Sequence, residues 1–181
     1  MSSVEIELIG KIIPLSGKGS QSLNQILNKQ ILPICMEQIT VDISSKAQDY
    51  AKGIDIPSQM IDKVQAKHPI GQSDSGYNST GKLADSIKVS YLSKIKSSIQ
   101  ALTEYASWVE WGTGIFGPSG QPIVPKKGKV MVFPFQGNRI AASSVLGQPP
   151  QPFMRGSIWF INDNLKDTFK RIQKIIDGKF Q

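Results

Sequence analysis

Residues 152–178, PFMRGSIWFINDNLKDTFKRIQKIIDG, decide the fold because they carry the most regular hydrophobic pattern in the chain. The apolar positions are Ile158, Ile161, Leu165, Phe169, Ile172 and Ile176. They recur every three or four residues, which is the spacing of one face of an amphipathic helix. Pro152 suits the first turn of such a helix, and Gly178 suits its end. The pattern therefore predicts one long C-terminal helix over 153–177.

A second long helix is predicted in the N-terminal half of the chain. Ser22 and Gln25 have the spacing of a capping box at its start, and apolar residues follow at helical spacing as far as Tyr50. Pro33 lies inside this pattern. We expect it to kink or split the helix, because a proline cannot donate a hydrogen bond to the preceding turn.

Three strands are predicted around these helices. Val4, Ile6 and Leu8 alternate with Glu5 and Glu7, which is the pattern of a half-buried strand that ends at Gly10. The stretch TGKLADSIKVSYL at 80–92 predicts a short helical turn, capped by Ser79 or Thr80, that runs into a strand. Residues 98–102 predict the partner strand of a hairpin.

Residues 115–150 predict an extended β-arm, because they are rich in proline and glycine around one apolar run, VMVFPF at 130–135. Pro134 inside that run indicates an edge strand. The sequence as a whole predicts a single α+β domain over 1–181. A small antiparallel sheet packs against a long kinked N-terminal helix and a long C-terminal helix, and the arm extends from this body.

The composition is that of a folded protein without a metal or disulfide framework. The chain has 181 residues, of which 39% are hydrophobic, so it can bury a core by packing alone. Cys35 is the only cysteine and His68 the only histidine, which leaves no internal disulfide and no multi-histidine zinc site. No apolar run approaches the roughly 18–20 residues of a membrane span. We expect no cofactor and no membrane partner.

The net charge of +7 is confined to one half of the chain. Residues 1–90 contain equal numbers of basic and acidic residues, so the whole excess lies in residues 91–181. The densest basic cluster lies in the arm and consists of Lys126, Lys127, Lys129 and Arg139. Lysines on a loop can follow phosphates without reading bases, so this cluster is the candidate contact with DNA.

The sequence offers no convincing catalytic residue. The stretch GYNSTGK at 76–82 has the spacing of a phosphate-binding loop, but Leu83 replaces the Ser or Thr that would hold magnesium. Glu104 and Glu110 are six residues apart and would point in different directions on a helix. We expect Glu110 to be a structural acceptor that caps backbone groups or pairs with a Lys or Arg across a subunit contact.

Three segments together resemble one known family: TGKLADSI at 80–87, YASWVEWGTG at 105–114 and PQPFMRGSIW at 150–159. The chain resembles the neck, or tail-completion, family (minor tail protein Z-like) of long-tailed double-stranded DNA bacteriophages. The residues that fit its pattern are Thr80, Gly81, Leu83, Ser86, Ile87, Tyr105, Ala106, Val109, Glu110, Gly112, Thr113, Pro152 and Phe153.

The resemblance implies a structural virion protein with no enzymatic activity, assembled in the bacterial host cytoplasm and located at the head-to-tail junction. It implies a homo-oligomeric ring, hexameric or dodecameric, around the genomic DNA. Its partners would be a connector or head-completion protein on one side and a tail terminator or tail tube protein on the other.

Crowded aromatic residues commonly mark protein contacts, and a ring requires two different patches on each subunit. The candidate interface residues are Tyr105, Trp108, Glu110, Trp111, Gly112, Thr113, Phe133, Phe135, Phe153 and Trp159. The alternative function is a basic nucleic-acid-binding module, which would bind free duplex with a steep salt dependence.

Overall fold

The structure is a computed structural model that describes residues 4–10, 20–52, 80–135 and 138–179. Its elements in chain order are β1 (Val4–Ile9), α1 (Ser20–Ile26), a π-helical turn (Leu27–Ile31), α2 (Leu32–Ala51), α3 (Lys82–Asp85), β2 (Ile87–Ser93), β3 (Lys96–Ala101), α4 (Ala106–Trp111), a 3₁₀ turn (Gly114–Phe116), β4 (Met131–Phe135), β5 (Asn138–Ala142), α5 (Phe153–Asp163) and α6 (Leu165–Lys179). The fold is α+β, as predicted.

The main sheet has three antiparallel strands in the order β1-β3-β2. In its central row, Ile6 of β1 lies opposite Ile99 of β3, which lies opposite Val89 of β2. Ile99 is fully buried, and the other two pack against the core from the flanking strands. The predicted first strand and the predicted hairpin are both confirmed, although β3 begins at Lys96 rather than at residue 98.

The first helix is irregular next to its proline, but the backbone stays helical across the irregular turn and the helix is not split in two. The backbone N–H of Leu32 bonds to the carbonyl of Leu27, five residues back, so one turn is wider than an α-helical turn. Pro33 follows as the second residue of α2, where its missing N–H costs no interior hydrogen bond. The predicted start is wrong by three residues, because α1 begins at Ser20 rather than at Leu23, so Ser22 lies within the helix rather than at its cap.

The core forms where α2 packs against α5 and the sheet. Tyr50 near the end of α2 is fully buried, and burial raises the pKa of its hydroxyl to about 12. A Cβ atom at Gly156 would lie 3.3 Å from the Tyr50 ring. A glycine at 156 therefore allows α5 to approach the tyrosine closely.

The prediction of one continuous C-terminal helix is wrong. The chain leaves helical geometry at Asn164, where φ is −108° and ψ is 23°. The Asn164 side-chain amide donates to the backbone carbonyl of Phe160 at 2.8 Å. The backbone carbonyl of Asn164 accepts the backbone N–H groups of Asp167 and Thr168. Asn164 thus ends α5 and starts α6. Asn competes with the helix backbone in this way because its short amide reaches neighbouring backbone groups.

Two further predicted helix boundaries are corrected. Gly178 does not end the last helix, because α6 continues to Lys179. Thr80 does not cap α3: the N-cap residue is Gly81, which has a positive φ of 79° and no side-chain cap. The predicted cap at Ser79 lies outside the described residues, as do His68 and residues 76–79 of the GYNSTGK stretch.

The described helices include none that is both long enough and apolar enough to cross a membrane. Cys35 has a free, half-buried thiol on α2, and burial raises the pKa of that thiol. A half-buried cysteine of this kind acts as a small hydrophobe.

Candidate subunit interface

The three segments that carry the family resemblance meet in one core. Leu83 and Ile87 come from the first segment, Val109 from the second, and Phe153 and Met154 from the third. All five side chains are buried in the same cluster, although the segments are separated by long stretches of sequence. The segments therefore form one structural unit, from which the arm extends.

Glu110 joins the second segment to the third. Its side chain is fully buried and accepts hydrogen bonds from the backbone N–H groups of Met154 and Arg155, at 2.9 and 3.0 Å. These are the first residues of α5, so the carboxylate caps the positive end of that helix. The prediction that Glu110 is a structural acceptor that caps backbone groups is confirmed.

Arg155 completes this site within the same chain. Its Nε donates to Glu110 Oε1 at 2.8 Å, and its Nη2 donates to the carbonyl oxygen of Glu110 at 2.7 Å. The guanidinium carbon lies 3.7 Å from the centre of the Trp111 ring. The cation thus neutralises the buried carboxylate and holds the indole in a fixed position by a cation–π contact.

The two tryptophans of α4 remain exposed. Trp108 has 60% of its surface accessible and Trp111 has 46%. They are three residues apart on a helix, so they share one side of it. An exposed pair of tryptophans with an arginine stacked on one of them has the composition of residues that dominate binding energies in protein interfaces. We call Trp108, Trp111 and Arg155 the aromatic patch.

The arm is anchored beside this patch by paired backbone segments. The backbone N–H of Thr113 bonds to the carbonyl of Gln148 at 2.9 Å, and the N–H of Gln148 bonds to Thr113 Oγ1 at 2.9 Å. One step further out, the N–H of Ile115 bonds to the carbonyl of Leu146 at 2.8 Å. We call this pairing of residues 112–115 with residues 146–148 the arm base.

Glycines make the arm base possible. Gly114 and Gly147 have positive φ values of 63° and 97°. A Cβ atom on Gly114 would overlap the carbonyl oxygen of Leu146, and one on Gly147 would overlap the carbonyl oxygen of Thr113. Only residues without a side chain allow the two segments to approach this closely. The GTG sequence at 112–114 is thereby explained by geometry.

The arm ends in a two-stranded sheet and carries the basic cluster. β4 pairs with β5 in antiparallel register, with Phe133 opposite Ile140, and the predicted edge strand around Pro134 is confirmed. All four members of the cluster, Lys126, Lys127, Lys129 and Arg139, are exposed. They lie on the arm rather than on the body of the domain.

The structure removes three residues from the predicted interface. Phe153 and Glu110 are fully buried, and Gly112 is buried as well, so their surfaces are not available to another subunit. These buried residues instead hold the exposed residues of the candidate interface in place. Trp159 is 38% exposed on α5. Tyr105, Thr113 and Phe133 are half-buried, and the side chain of Phe135 lies outside what is described.

Two residues that matter here are missing from the predicted set. Arg155 is the partner of Glu110, and Gly147 is the partner of the GTG turn. Sequence spacing could not pair positions that are about 35–45 residues apart. The sequence indicated only that Glu110 could pair with a Lys or Arg, and it did not indicate which one.

Within the described ranges, no three His, Cys, Asp or Glu residues come together in a way that could hold a metal ion. Glu104 is exposed whereas Glu110 is buried, so these two carboxylates do not share one environment. No family model, characterised protein or solved structure matches the chain significantly.

Proposed function

We propose that the chain is a structural, non-enzymatic subunit of the head-to-tail junction of a long-tailed bacteriophage. Copies of the chain form a ring around the DNA path and join the connector to the tail. The observation that carries this proposal is the meeting of the three family-like segments in one core, with the aromatic patch and the arm base side by side on its surface.

The distribution of exposed groups supports an assembly role. Cyclic assembly requires one surface that is presented and another that receives it. The arm is a projecting element with exposed apolar residues, and the aromatic patch lies on the body next to the arm base. One chain thus carries both an extended element and a fixed surface.

The decisive experiment is removal of the gene from the phage genome that encodes it. We expect the cells to accumulate DNA-filled heads and separate tails, and a plasmid copy to restore joined particles. An epitope-tagged copy should be located by electron microscopy at the junction of complete particles. Normal, infectious particles without the chain would overturn the proposal.

The second candidate function is a basic nucleic-acid-binding module, and the exposed cluster on the arm favours it. This alternative requires the isolated chain to bind free duplex DNA. Four phosphate contacts would give a slope of about −3.6 in log K against log salt. The head-to-tail proposal expects little binding until the ring has formed. Within a ring, Lys126, Lys127, Lys129 and Arg139 would face the lumen, and outward orientation of all four would exclude contact with DNA.

A further inference from the structure

The hairpin formed by β4 and β5 exposes apolar side chains and has little contact with the other described helices and strands. Val130, Val132 and Ile140 are exposed, and neither strand packs extensively against another described helix or strand. A two-stranded hairpin by itself is only marginally stable in water. It therefore requires a surface that covers it.

One edge strand of this hairpin is better suited than the other to hydrogen-bond with an additional β-strand. Pro134 has no N–H, so it cannot donate to a strand added beside β4. In an antiparallel pair, opposite residues alternate between those that hydrogen-bond to each other and those whose N–H and C=O groups point outward. Pro134 has no N–H to share with β5, so Pro134 and Arg139 form a pair of the second kind. On β5 the outward backbone groups are then those of Arg139 and Ala141, and both N–H groups are intact. The open edge is β5.

The main sheet has two outer strands that could accept it, and their charges differ. β1 carries Glu5 and Glu7 on its exposed face, of which Glu7 is paired with Lys96 of β3, whereas β2 carries Lys88. The arm at 115–150 contains four basic residues and no carboxylate. A basic strand is attracted by β1 and repelled by Lys88 on β2.

The regularity of the two outer strands of the main sheet also favours β1 over β2 as the strand that accepts the hairpin. β2 has a register irregularity between Tyr91 and Ser93, and such bulges disturb pairing. β1 is paired without interruption to β3 over six residues, and no described strand pairs with its outer edge. The helix that bears Trp108 and Trp111 contacts β1.

The face of the hairpin that carries Ile140 matches the apolar inner face of β1, whereas the other face carries Arg139 together with Val132 and Pro134. Met131, Phe133 and Ile140 share one face of the hairpin, and Arg139 lies on the other. On β1, the inner residues Val4, Ile6 and Leu8 are apolar and partly buried. An added β5 strand that places Arg139 beside Glu5 thus also places Ile140 on the apolar side of the sheet.

We propose that the arm of one copy adds its β5 edge to the outer edge of β1 in a neighbouring copy. The three-stranded sheet becomes a five-stranded sheet shared between two chains. This inference rests on the proposed function only in requiring that copies of the chain assemble with one another. The occupant of the β1 edge is a second copy, because the basic hairpin that fits it belongs to this same chain.

Charge reversal at the two strands tests the pairing. Glu5→Arg damages the receiving edge, and Arg139→Glu damages the arm. Each variant alone places like charges side by side, and we expect about a tenfold weaker self-association in sedimentation experiments over a concentration series. Glu5→Gln keeps an acceptor for the Ser98 hydroxyl and controls for loss of that hydrogen bond. Lys166→Glu, an exposed charge reversal on α6, controls for net charge.

The two variants are then mixed in equal amounts. In the mixture, each damaged arm can meet a damaged edge of opposite charge, and each intact arm can meet an intact edge. We therefore expect self-association to return to within about threefold of the original value. Single variants that assemble like the original chain, or a mixture that stays as weak as its components, would overturn the pairing.

Hydrogen exchange gives an independent measurement. Assembly should slow exchange of the backbone amides of β1 and β5. Ala141→Pro removes an outward N–H of β5 and should abolish this protection of β1, whereas Ala141→Ser should retain it. Unchanged exchange in β1 on assembly, or protection of β1 that persists in Ala141→Pro, would show that the arm does not occupy this edge.

The outcomes separate this inference from the proposed function. Assembly that is insensitive to Glu5 and Arg139 overturns the strand pairing and leaves the place in the virion untouched. A rescued mixture from a chain that is absent from phage particles supports the pairing and overturns the phage role. A chain that remains monomeric up to its solubility limit overturns the pairing.

Discussion

At the scale of single residues, the best-defined feature is the buried carboxylate of Glu110. It joins α4 to α5 because it satisfies two N–H groups at the start of α5 and pairs with Arg155 at the same time. A buried charge is tolerated only when such partners surround it. The position of Trp111 depends on this arrangement, since its ring lies against the same arginine.

Glu110→Ala should destabilise the fold by about 3–5 kcal/mol, because it leaves Arg155 and the helix N–H groups without their acceptor. Chemical denaturation followed by circular dichroism measures this change. The matched control is Glu37→Gln, which removes an exposed carboxylate from α2 and should change stability by no more than about 0.5 kcal/mol. Equal effects of the two substitutions would contradict the role of Glu110.

Substitution of glycine by alanine should change the free energy of unfolding by different amounts at three kinds of position: the arm base, an open turn and a helix. Gly114→Ala introduces a backbone overlap and a positive φ, so we expect a loss of more than about 3 kcal/mol. Gly128 has a positive φ in open space, and its substitution should cost about 1–2 kcal/mol. Gly178 lies in a helix in open space, and alanine there should stabilise by up to about 1 kcal/mol. Denaturation midpoints that rank these variants in another order would refute the close approach at the arm base.

At the scale of elements, the sequence predicts the kinds of structure better than their ends. The alternation in β1 and the proline in the first helix each reflect one local physical rule. The strand is confirmed, and the helix is irregular next to the proline without being split. The sequence pattern did not predict the break at Asn164, because the spacing of the apolar residues continues across it. Hydrophobic periodicity records which residues are apolar, but it does not record where an amide side chain adds a hydrogen bond to a backbone carbonyl.

Only part of the apolar stripe of the last helix is buried. Ile172 and Phe169 belong to the same stripe in the sequence, but Ile172 is buried and Phe169 is 56% exposed. Ile172→Ala should therefore cost about 2–4 kcal/mol, whereas Phe169→Ala should cost less than about 1 kcal/mol. Unfolding free energies of the two variants test this. Similar losses would mean that α6 packs through the whole stripe.

At the scale of the whole molecule, the candidate site was predictable in part. Trp108 and Trp111 are exposed, as the crowding of large aromatic residues in a short segment suggests, but they lie on the helix α4 rather than on a turn. Phe153 was misplaced, because a sequence cannot show whether an aromatic residue at a helix start points outward or into the core. The sequence did not predict the arm base, because the pairing of its two segments depends on the path of the backbone rather than on a pattern of side chains.

Trp108→Ser should weaken assembly of the molecule without weakening its fold. The side chain contributes an exposed aromatic surface and little to the core, so the unfolding midpoint should stay close to that of the original chain. Mass photometry or sedimentation should show fewer oligomers. Phe169→Ser removes a comparable exposed aromatic residue from α6 and should leave assembly intact. If both variants assemble normally, the aromatic patch is not a subunit contact.

The arm base has a consequence for how the chain can vary. Because residues 112–115 lie beside residues 146–148, the stretch between them starts and finishes at nearly the same point in space. Doubling the length of such a loop adds only about 0.6 kcal/mol of closure entropy. Insertions near the exposed Gly120 turn should therefore be tolerated, which makes it a suitable place for a fluorescent label. Related chains could lengthen or shorten the tip to suit different neighbours while the body keeps its shape.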